Sequence, residues 1–388
     1  MLNELRKILP ERLIRDRYID LVSFASDAGF YHLMPKAVVQ PETEEQITLL
    51  SRFARRHQVP LVFRTAGTSL SGQSITDGIL VDLSLYWKKI VIEDEGVRVR
   101  VQPGITGAMV NAFLKKYNRK IGPDPSSISA AMIGGILSNN ASGMCCGVRQ
   151  NSYHTVRHLR FMLPDGNFFN TENPNDYVRF EMACPILFET LKDIRRDVWA
   201  DAALFGKIRK KYQTKTTIGY SLNAFIDFEH PLDILAHLLI GAEGTLAFIA
   251  EAVLETVPDH SHKATTLLYF PTIAAACQAI RPLGDMGAMM VELMDRASLR
   301  AVENLEGMPP IVKTLPDAAT ALLIEFQGNS PEQVNESVQA FLEQAPQLSL
   351  LNTPAFTTDP AEQQFLWKVR KGLFPAVGAV RASGTTVV

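Results

Sequence analysis

The segment Arg64–Ser74, RTAGTSLSGQS, has the composition of a loop that binds phosphate groups. It follows the apolar stretch PLVF and places two glycines and five hydroxyl side chains within eleven residues. Glycine permits positive φ and close backbone approach, so N–H groups and hydroxyls of such a loop can surround a diphosphate. Arg64 is the only cation in the segment. From composition alone, an ordinary turn after a strand stays open as the alternative.

The sequence lacks both of the common phosphate-binding motifs. No GxGxxG follows the first predicted strand, and no GxxxxGK[ST] occurs anywhere in the chain. The first pattern is typical of Rossmann dinucleotide sites and the second of nucleoside triphosphatases. A phosphate site at 64–74 must therefore be of another kind.

Three further segments carry, together with this loop, a family resemblance. They are GPDPSS at 122–127, IGGILSNNASGM at 133–144 and LLIGAEGTLAFIAEAVLETVP at 238–258. In order and spacing the four segments resemble the cofactor-lining segments of the FAD-linked oxidases and dehydrogenases of the vanillyl-alcohol-oxidase (PCMH) type. That family includes glycolate oxidase D subunits. The stretch beginning NNASGMCCGVRQNSYH is similar to bacterial D-lactate dehydrogenases that are fused to an iron–sulfur module.

The resemblance implies FAD that is bound without a covalent link. Relatives often attach FAD through a histidine in the pyrophosphate loop, where this chain has Thr68, and no histidine occurs from 58 to 153. Small residues would let a flat isoalloxazine ring approach backbone amides, and two asparagine side chains can pair with ring or phosphate edges. Glu243 can instead cap its own turn. The implied cofactor-binding residues are Arg64, Thr65, Ala66, Gly67, Thr68, Ser69, Ser71, Gly72, Pro123, Asp124, Ser127, Gly134, Gly135, Asn139, Asn140, Ser142, Gly143, Gly241, Glu243, Gly244 and Ile249.

The segment FLWKVRKGLFPAVG resembles the family's site for the substrate carboxylate, which implies that Arg370 and Lys371 are catalytic residues. An arginine binds a carboxylate through two parallel charge-assisted hydrogen bonds. A solvated helix face is the open alternative. Relatives carry the proton-accepting histidine and a metal-binding histidine pair further downstream, whereas the last histidine here is His262. We therefore expect a chain cut before its catalytic end, with a divalent metal and iron–sulfur clusters only in the missing part.

The cysteines and histidines of the sequence indicate no metal site. Cys145 and Cys146 are adjacent, and adjacent thiols do not chelate a tetrahedral ion without partners at matching spacing. We expect them to pack beside the flavin. The four cysteines are too few and too irregular for a disulfide framework. His154 and His158 are expected to share one face of a strand, as structural histidines.

Composition indicates a globular protein without a dominant charge. The 39 basic and 41 acidic residues nearly cancel, which argues against nucleic acid as a partner and against attraction of the whole chain to a membrane. No apolar run reaches the about 18 residues that a membrane span requires, and the N-terminal sequence lacks a signal-peptide core. We expect a cytoplasmic protein, with a peripheral position at the inner membrane left open.

Strand and helix patterns must position the candidate residues. Thr43 and Gln46 predict a capping box before a helix that buries Ile47, Leu50 and Phe53, between the strands KAVVQ and PLVF. The strand GILVDLS at 78–84 is apolar on both faces, as expected of a strand that is covered on both sides.

A hairpin and a second helix follow. The hairpin turns at Glu95 and Gly96, and the helix starts at Thr106. Its side chains expected to point inward are Met109, Val110, Phe113 and Leu114. The glycine-rich stretch at 122–147 reads as a long structureless segment, which inside a compact domain is usually functional.

The predicted fold class is α+β, with a two-subdomain PCMH-type FAD-binding fold followed by an incomplete ferredoxin-like α/β cap domain. We expect an N-terminal helical segment at 1–34, the FAD-binding domain at 35–258 and a substrate domain at 259–388. In the last domain strands alternate with helices that begin at Thr272, Arg296, Ser330 and Asp359. Further strands are expected near Leu350 and at 384–388.

The function expected from the resemblance is FAD-dependent oxidation of a D-2-hydroxy acid, with D-lactate as the first candidate. Hydride would pass from the substrate C2 to flavin N5, and the electrons to a quinone, a cytochrome or an iron–sulfur module. Two alternatives stay open. One is a dehydrogenase or oxidase of glycolate or D-2-hydroxyglutarate, and the other is a flavin-binding electron-transfer subunit without its own substrate.

Overall fold

A computed structural model of the chain describes residues 1–143 and 146–380. By contacts, the chain divides into two compact units, Met1–Pro258 and Asp259–Val388. Helices and strands are mixed throughout, as the predicted α+β class requires. The helices of the first unit are α1 (Leu2–Ile8), α2 (Tyr18–Phe24), α3 (Glu44–His57), α4 (Gly107–Leu114), α5 (Ile133–Ser138), α6 (Ser152–Thr155), α7 (Pro174–Ala183), α8 (Pro185–Ala200), α9 (Ala202–Lys211), α10 (Ala224–Asp227) and α11 (Pro231–Leu238).

The strands of the first unit form two sheets. The strands are β1 (Ile14–Arg15), β2 (Ala37–Val39), β3 (Leu61–Arg64), β4 (Ile79–Asp82), β5 (Ile90–Glu93), β6 (Arg98–Val101), β7 (Arg119–Ile121), β8 (Val156–Met162), β9 (Phe168–Asn170) and β10 (Phe248–Pro258). The smaller sheet has the order β1-β2-β4-β3, in which β2, β4 and β3 run parallel. The larger sheet is antiparallel, with the order β5-β6-β10-β8-β9 and with β7 also on β10.

The smaller sheet follows from the pattern of strand, helix and strand. The Thr43 hydroxyl accepts from the Gln46 amide, so the predicted cap starts α3, although the Gln46 side chain accepts from the Glu42 amide instead of closing on Thr43. Ile47 and Leu50 on α3 are fully buried against the sheet. The parallel crossover through α3 connects β2 to β3, which ends at Arg64, where the candidate loop at 64–74 begins.

The larger sheet is covered on one face by a single hydrophobic core. Residues of α4, α5, α8 and α11 pack there against β6, β8 and β10. The predicted hairpin is confirmed, with β5 antiparallel to β6 and positive φ at Glu95 and Gly96.

Three local predictions for the first unit were wrong. The N-terminal segment is not only helical, because β1 adds an antiparallel strand to β2. The stretch 122–147 is not structureless, since it contains α5. Of the four side chains on α4 expected to point inward, Val110 and Leu114 are buried, while Met109 and Phe113 are 51% and 47% exposed, because a helix on a sheet buries a single stripe.

The second unit has helices on both faces of an antiparallel sheet. Its elements are β11 (His262–Phe270), α12 (Ile273–Asp285), β12 (Met290–Met294), α13 (Arg296–Val302), β13 (Thr320–Gly328), α14 (Pro331–Gln344), α15 (Pro360–Lys371) and α16 (Leu373–Val380). The strand order is β11-β13-β12. Residues of α12 and α14 pack on one face, and residues of α13, α15 and α16 pack on the other.

The strand predicted near Leu350 does not form. That segment is connected to the sheet by the Leu351 amide, which donates to the Tyr269 carbonyl, and by one isolated bridge between Thr265 and Thr357. The strand expected at 384–388 lies outside the described residues. Within those residues, no helix combines the length and the apolar character needed to cross a membrane.

Candidate cofactor site

The loop after β3 presents a row of free backbone donors. Gly67 and Gly72 have φ values of 68° and 82°, so the chain curls in a way that favours glycine. Within the described ranges, none of the consecutive amide N–H groups of 65–70 donates a hydrogen bond. The loop is partly buried, so these donors are costly to leave unsatisfied. Successive unpaired N–H groups in a curled loop form a concave anion site, which fits a diphosphate.

Residues 27–29, which precede β2, hold this loop in place by hydrogen bonds and close packing. One Asp27 carboxylate oxygen accepts from the Ser69 hydroxyl at 2.7 Å and from the Gly72 amide at 2.9 Å. The Ala28 amide donates to the Ser69 carbonyl at 3.0 Å, and a Cβ at Gly29 would collide with the Leu70 carbonyl. Asp27 was not predicted from the sequence, because it is distant from Ser69 in the chain and the two residues form no recognisable motif. The Ser69 hydroxyl, expected to bind the cofactor, is thus already bonded within the protein.

Arg64 also supports the loop by hydrogen bonds within the protein. Its Nη1 donates to the carbonyl oxygens of Phe24 at 3.2 Å, Ser26 at 2.8 Å and Ser74 at 3.4 Å. Burial lowers the pKa of this guanidinium, and nearby Asp27 and Asp82 oppose the shift. A Cβ at Gly67 would collide with the same guanidinium. Arg64 therefore shapes the loop through Nη1, and its expected contact with the cofactor stays a prediction.

The two glycines of α5 have different surroundings. A Cβ at Gly134, which is buried, would lie 2.7 Å from Pro103 Cβ and 3.1 Å from Thr65 Cγ2. Gly134 thus permits packing within the protein. Gly135 is exposed, and a Cβ there would meet only Thr65 Oγ1, at 3.4 Å. Of the two, only Gly135 is open to a ligand.

The turn at 241–244 meets the C-terminal end of α5. The Gly241 amide donates to the Leu137 carbonyl at 3.0 Å, and the Glu243 amide donates to the Ser138 carbonyl at 2.8 Å. Glu243 has a φ of 51°, and its Oε1 accepts from Asn139 Nδ2 at 2.6 Å.

The Glu243 carboxylate also lies beside the loop at 64–74. Burial raises the pKa of Glu243, and the neighbouring amide side chains of Asn139 and Gln73 act in the opposite direction. Three of the four segments singled out in the sequence therefore converge here. The alternative in which Glu243 only caps its own turn is wrong, while exposed Gly244 stays a predicted contact.

The fourth segment lies beside the end of the Asn-rich stretch. The Asp124 amide donates to the Ser142 carbonyl at 2.7 Å, and Asp124 forms a parallel bridge with Gly143. Gly143 has a φ of 114°, and a Cβ there would collide with the Asp124 carbonyl. Pro123 is buried, while the Ser127 carbonyl accepts the amides of Ala130 and Ala131. Any cofactor contacts of this segment remain predictions.

Two predicted contacts are part of the protein interior. Asn140 is 4% exposed, and its Oδ1 accepts the Tyr153 amide at 3.1 Å, so that oxygen is not free for a flavin edge. Ile249 on β10 is buried in the core and pairs with Phe161 on β8. Contacts expected from Thr65, Ala66, Gly67, Thr68, Ser71, Gly72, Asn139, Ser142 and Gly241 stay predictions.

Cys146 has the properties of a packed thiol. It is buried, and burial raises its pKa to about 11, so it is protonated near neutral pH. Cys145 lies outside the described residues. His154 and His158 do not share a strand face, because His154 belongs to α6 and bonds Asn151 through Nδ1 at 2.9 Å. In the described part of the chain, no group of three or more His, Cys, Asp or Glu could hold a metal.

In the second unit, Arg370 on α15 forms an ion pair with Glu292 on β12. Its Nε and Nη2 donate to Glu292 Oε2 at 2.9 and 2.6 Å. The arginine is half-buried and paired, which does not fit a solvated face at this position, and its binding of a substrate carboxylate stays a prediction. Lys371 is exposed. Sequence reasoning missed Glu292, which a carboxylate ligand of Arg370 would have to share or displace.

Comparison with known proteins supports the assignment of both units. The family model of the FAD binding domain matches residues 35–172, and the C-terminal domain of FAD linked oxidases matches 259–388. D-2-hydroxyglutarate dehydrogenase of Pantoea ananatis is 28% identical over 337 residues, covering 83% of this chain and 32% of that protein. Glycolate oxidase subunit GlcD of Escherichia coli is 27% identical over 392 residues, covering 98% of this chain and 66% of that protein. The mitochondrial D-lactate dehydrogenase [cytochrome] of Arabidopsis thaliana is 24% identical, covering 96% of this chain and 56% of that protein.

The chain thus spans about a third of the D-2-hydroxyglutarate dehydrogenase that it matches. A solved structure of alkyldihydroxyacetonephosphate synthase has the same fold, with a TM-score of 0.66 at 14% identity, covering 97% of this chain and 63% of that one. The two family models, in this order and with the loop at 64–74 inside the first, identify the chain. It belongs to the FAD-linked oxidase family of the vanillyl-alcohol-oxidase (PCMH) type.

Proposed function

We propose that the chain forms the FAD-binding part of a dehydrogenase that oxidises a 2-hydroxy acid. The observation that carries the cofactor assignment is the row of free amides at 65–70, in a loop whose carbonyl oxygens and hydroxyls are held from behind. Bound FAD would supply the redox chemistry by accepting a hydride.

The protein's own contribution at this site is rigid binding of the diphosphate. Amides that are fixed before the ligand arrives lose little conformational entropy on binding. The hydroxyls of Thr65, Thr68 and Ser71 lie on the same loop and form no hydrogen bond with any described residue, so they add donors. Thr68 stands where relatives carry a linking histidine, and we propose non-covalent binding for that reason.

For the substrate we propose a small 2-hydroxy acid, with D-lactate tested first. The similarity of the segment after Asn139 to D-lactate dehydrogenases favours this acid. Glycolate and D-2-hydroxyglutarate follow, because similar proteins carry those names. Arg370 and Lys371 are the proposed carboxylate-binding residues, with Glu292 orienting the guanidinium. A quinone, a cytochrome or an iron–sulfur module is the proposed electron acceptor, and the cytoplasm the proposed compartment.

The test is anaerobic titration of the full-length protein, loaded with FAD, with D-lactate, L-lactate, glycolate and D-2-hydroxyglutarate. Bleaching of the flavin absorbance by one of these acids, in preference to the others, is the expected result. The protein with Arg370→Ala should bind FAD normally and bleach more slowly. A protein that binds FAD but is bleached by none of the acids would instead support the alternative of an electron-transfer subunit.

A further inference from the structure

A cluster of unpaired cations lies on α9 and in the loop that follows it. Lys207, Arg209, Lys210, Lys211 and Lys215 are all exposed. Within the part of the chain that the structure describes, none of them forms an ion pair. The sequence has no acidic residue between Asp201 and Asp227, although the whole chain has a net charge of −2. We call residues 202–222 the basic surface.

Apolar side chains stand in water among these cations. Ile218 is 83% exposed, and Leu204, Tyr220 and Leu222 are also exposed, as is Trp199 at the end of α8. Single exposed apolar residues are common on protein surfaces, whereas a group of them within one short segment marks an interaction site.

The helix and the loop form one ordered structure. Ile208 is the buried residue of α9, and Phe205 and the capping residue Tyr212 are partly buried at the spacing of the same helix face, which turns the lysines outward. The Tyr212 hydroxyl donates to the Tyr220 carbonyl at 2.8 Å and accepts from the Leu222 amide at 3.0 Å. These bonds tie the loop to the residue that follows Lys210 and Lys211, so its apolar residues stay close to the cations at the end of α9.

We propose that the basic surface binds an anionic lipid bilayer. Lysine and arginine pair with lipid phosphates while their methylene stems lie along apolar groups. Each such cation near an anionic membrane contributes about 1 kcal/mol. Ile218 and Leu204 match acyl chains, whereas the charged backbone of a nucleic acid offers them no partner of comparable apolar character. Tryptophan and tyrosine suit the headgroup level of a bilayer.

The position of the basic surface gives this binding a purpose, which rests on the proposed function. The Ser221 hydroxyl donates to the Ile240 carbonyl at 2.7 Å, and the hydroxyls of Tyr220 and Thr245 lie 3.0 Å apart. The surface is thus joined to the turn at 241–244 that lines the candidate cofactor site. Bilayer binding would hold that site near an acceptor that is dissolved in the membrane.

The test is co-sedimentation of the FAD-loaded protein with vesicles of phosphatidylcholine, alone or mixed with phosphatidylglycerol. Binding should require the anionic lipid and should weaken as salt is added, because salt screens exposed charges. Lys210→Gln with Lys211→Gln should weaken binding about 30-fold, from two charges at the value above. The matched control is Lys88→Gln with Lys89→Gln, a second pair of adjacent exposed lysines. Ile218→Ser should weaken binding about tenfold, the lower end for burial of such a side chain.

Several results would overturn the proposal. They are binding to phosphatidylcholine alone at equal strength, an equal loss in both lysine pairs, and tighter binding of the basic surface to single-stranded RNA than to anionic vesicles. FAD content and thermal unfolding of each variant check that it is folded. Vesicle binding is measured without substrate, so its failure would leave the proposed dehydrogenase function standing.

Discussion

Replacing Asp27 with alanine tests the role of the N-terminal segment in FAD binding. The carboxylate holds the loop through the Ser69 hydroxyl and the Gly72 amide, at 2.7 and 2.9 Å. A hydrogen bond to a charged group is worth about 1.5–3 kcal/mol. Loss of both bonds at the lower value amounts to about 3 kcal/mol, or about 100-fold in an equilibrium constant. Because the freed loop must be ordered again when FAD binds, we expect most of this loss in FAD affinity.

The measurement is a titration of apoprotein with FAD, followed by flavin fluorescence, next to a thermal unfolding curve of the apoprotein. Asp165→Ala is the matched control, since Asp165 also accepts a loop amide, that of Asn167, in a different turn. We expect a Kd for FAD raised about 100-fold in Asp27→Ala and unchanged in Asp165→Ala. Asp27→Asn retains one good acceptor and should lie between them. A Kd for Asp27→Ala within about twofold of that of the unmodified protein would show that Asp27 does not hold the loop in its binding shape.

Four further outcomes are expected. Acid precipitation should release all flavin as FAD, because Thr68 cannot form the histidyl link; flavin in the protein pellet would contradict this. Gly67→Val should weaken FAD binding far more than Cys146→Ser, since a side chain at position 67 collides with Arg64 whereas the thiol is only packed; similar losses would show that the thiol has been misread. Arg370→Lys should raise the KM for the hydroxy acid about tenfold, because lysine offers one point charge in place of a two-pronged donor; an unchanged KM would leave Arg370 only its pairing with Glu292. Burial lowers the pKa of His237 below its usual range, so the unfolded chain binds the proton first as the pH falls. The part of the thermal stability that depends on His237 should be fully present above about pH 6.5 and be lost below it, so that the loss on acidification is less steep in His237→Gln.

The elements of the fold were predicted from the sequence where one local pattern decides the outcome. The cap at Thr43 and the apolar run of β4 are examples, and both depend on neighbours in the chain. Met109 and Phe113 were placed wrongly because periodicity gives the stripe of a helix but not its width. The strand expected near Leu350 failed because apolar composition does not supply a paired edge, and that segment meets the sheet at only a few points.

The segments that form the candidate site were predicted from the sequence, but the hydrogen bonds among their residues were not. The loop at 64–74, the asparagines after α5 and the turn at 241–244 do converge. The sequence could not show that Arg64 and Asn140 bond within the protein, since their partners depend on the tertiary fold. Asp27 and Glu292 were missed for the same reason, because each acts on a residue that is distant in the chain.

The attachment of the loop at 64–74 to residues 24–29 bears on which fragments of the protein can be expressed and on the order in which the site forms during synthesis. The match to the FAD-binding family begins at residue 35, so an expression fragment started there would lack Asp27. It would retain every residue expected to touch FAD, yet its loop would have lost the bonds to Asp27 and Ala28 and would keep only those within the loop, such as that from Arg64 to Ser74. During synthesis, residues 24–29 and the loop at 64–74 leave the ribosome well before the turn at 241–244. The loop can therefore be shaped early, while the opposite wall of the site arrives only after nearly the whole first unit has been made.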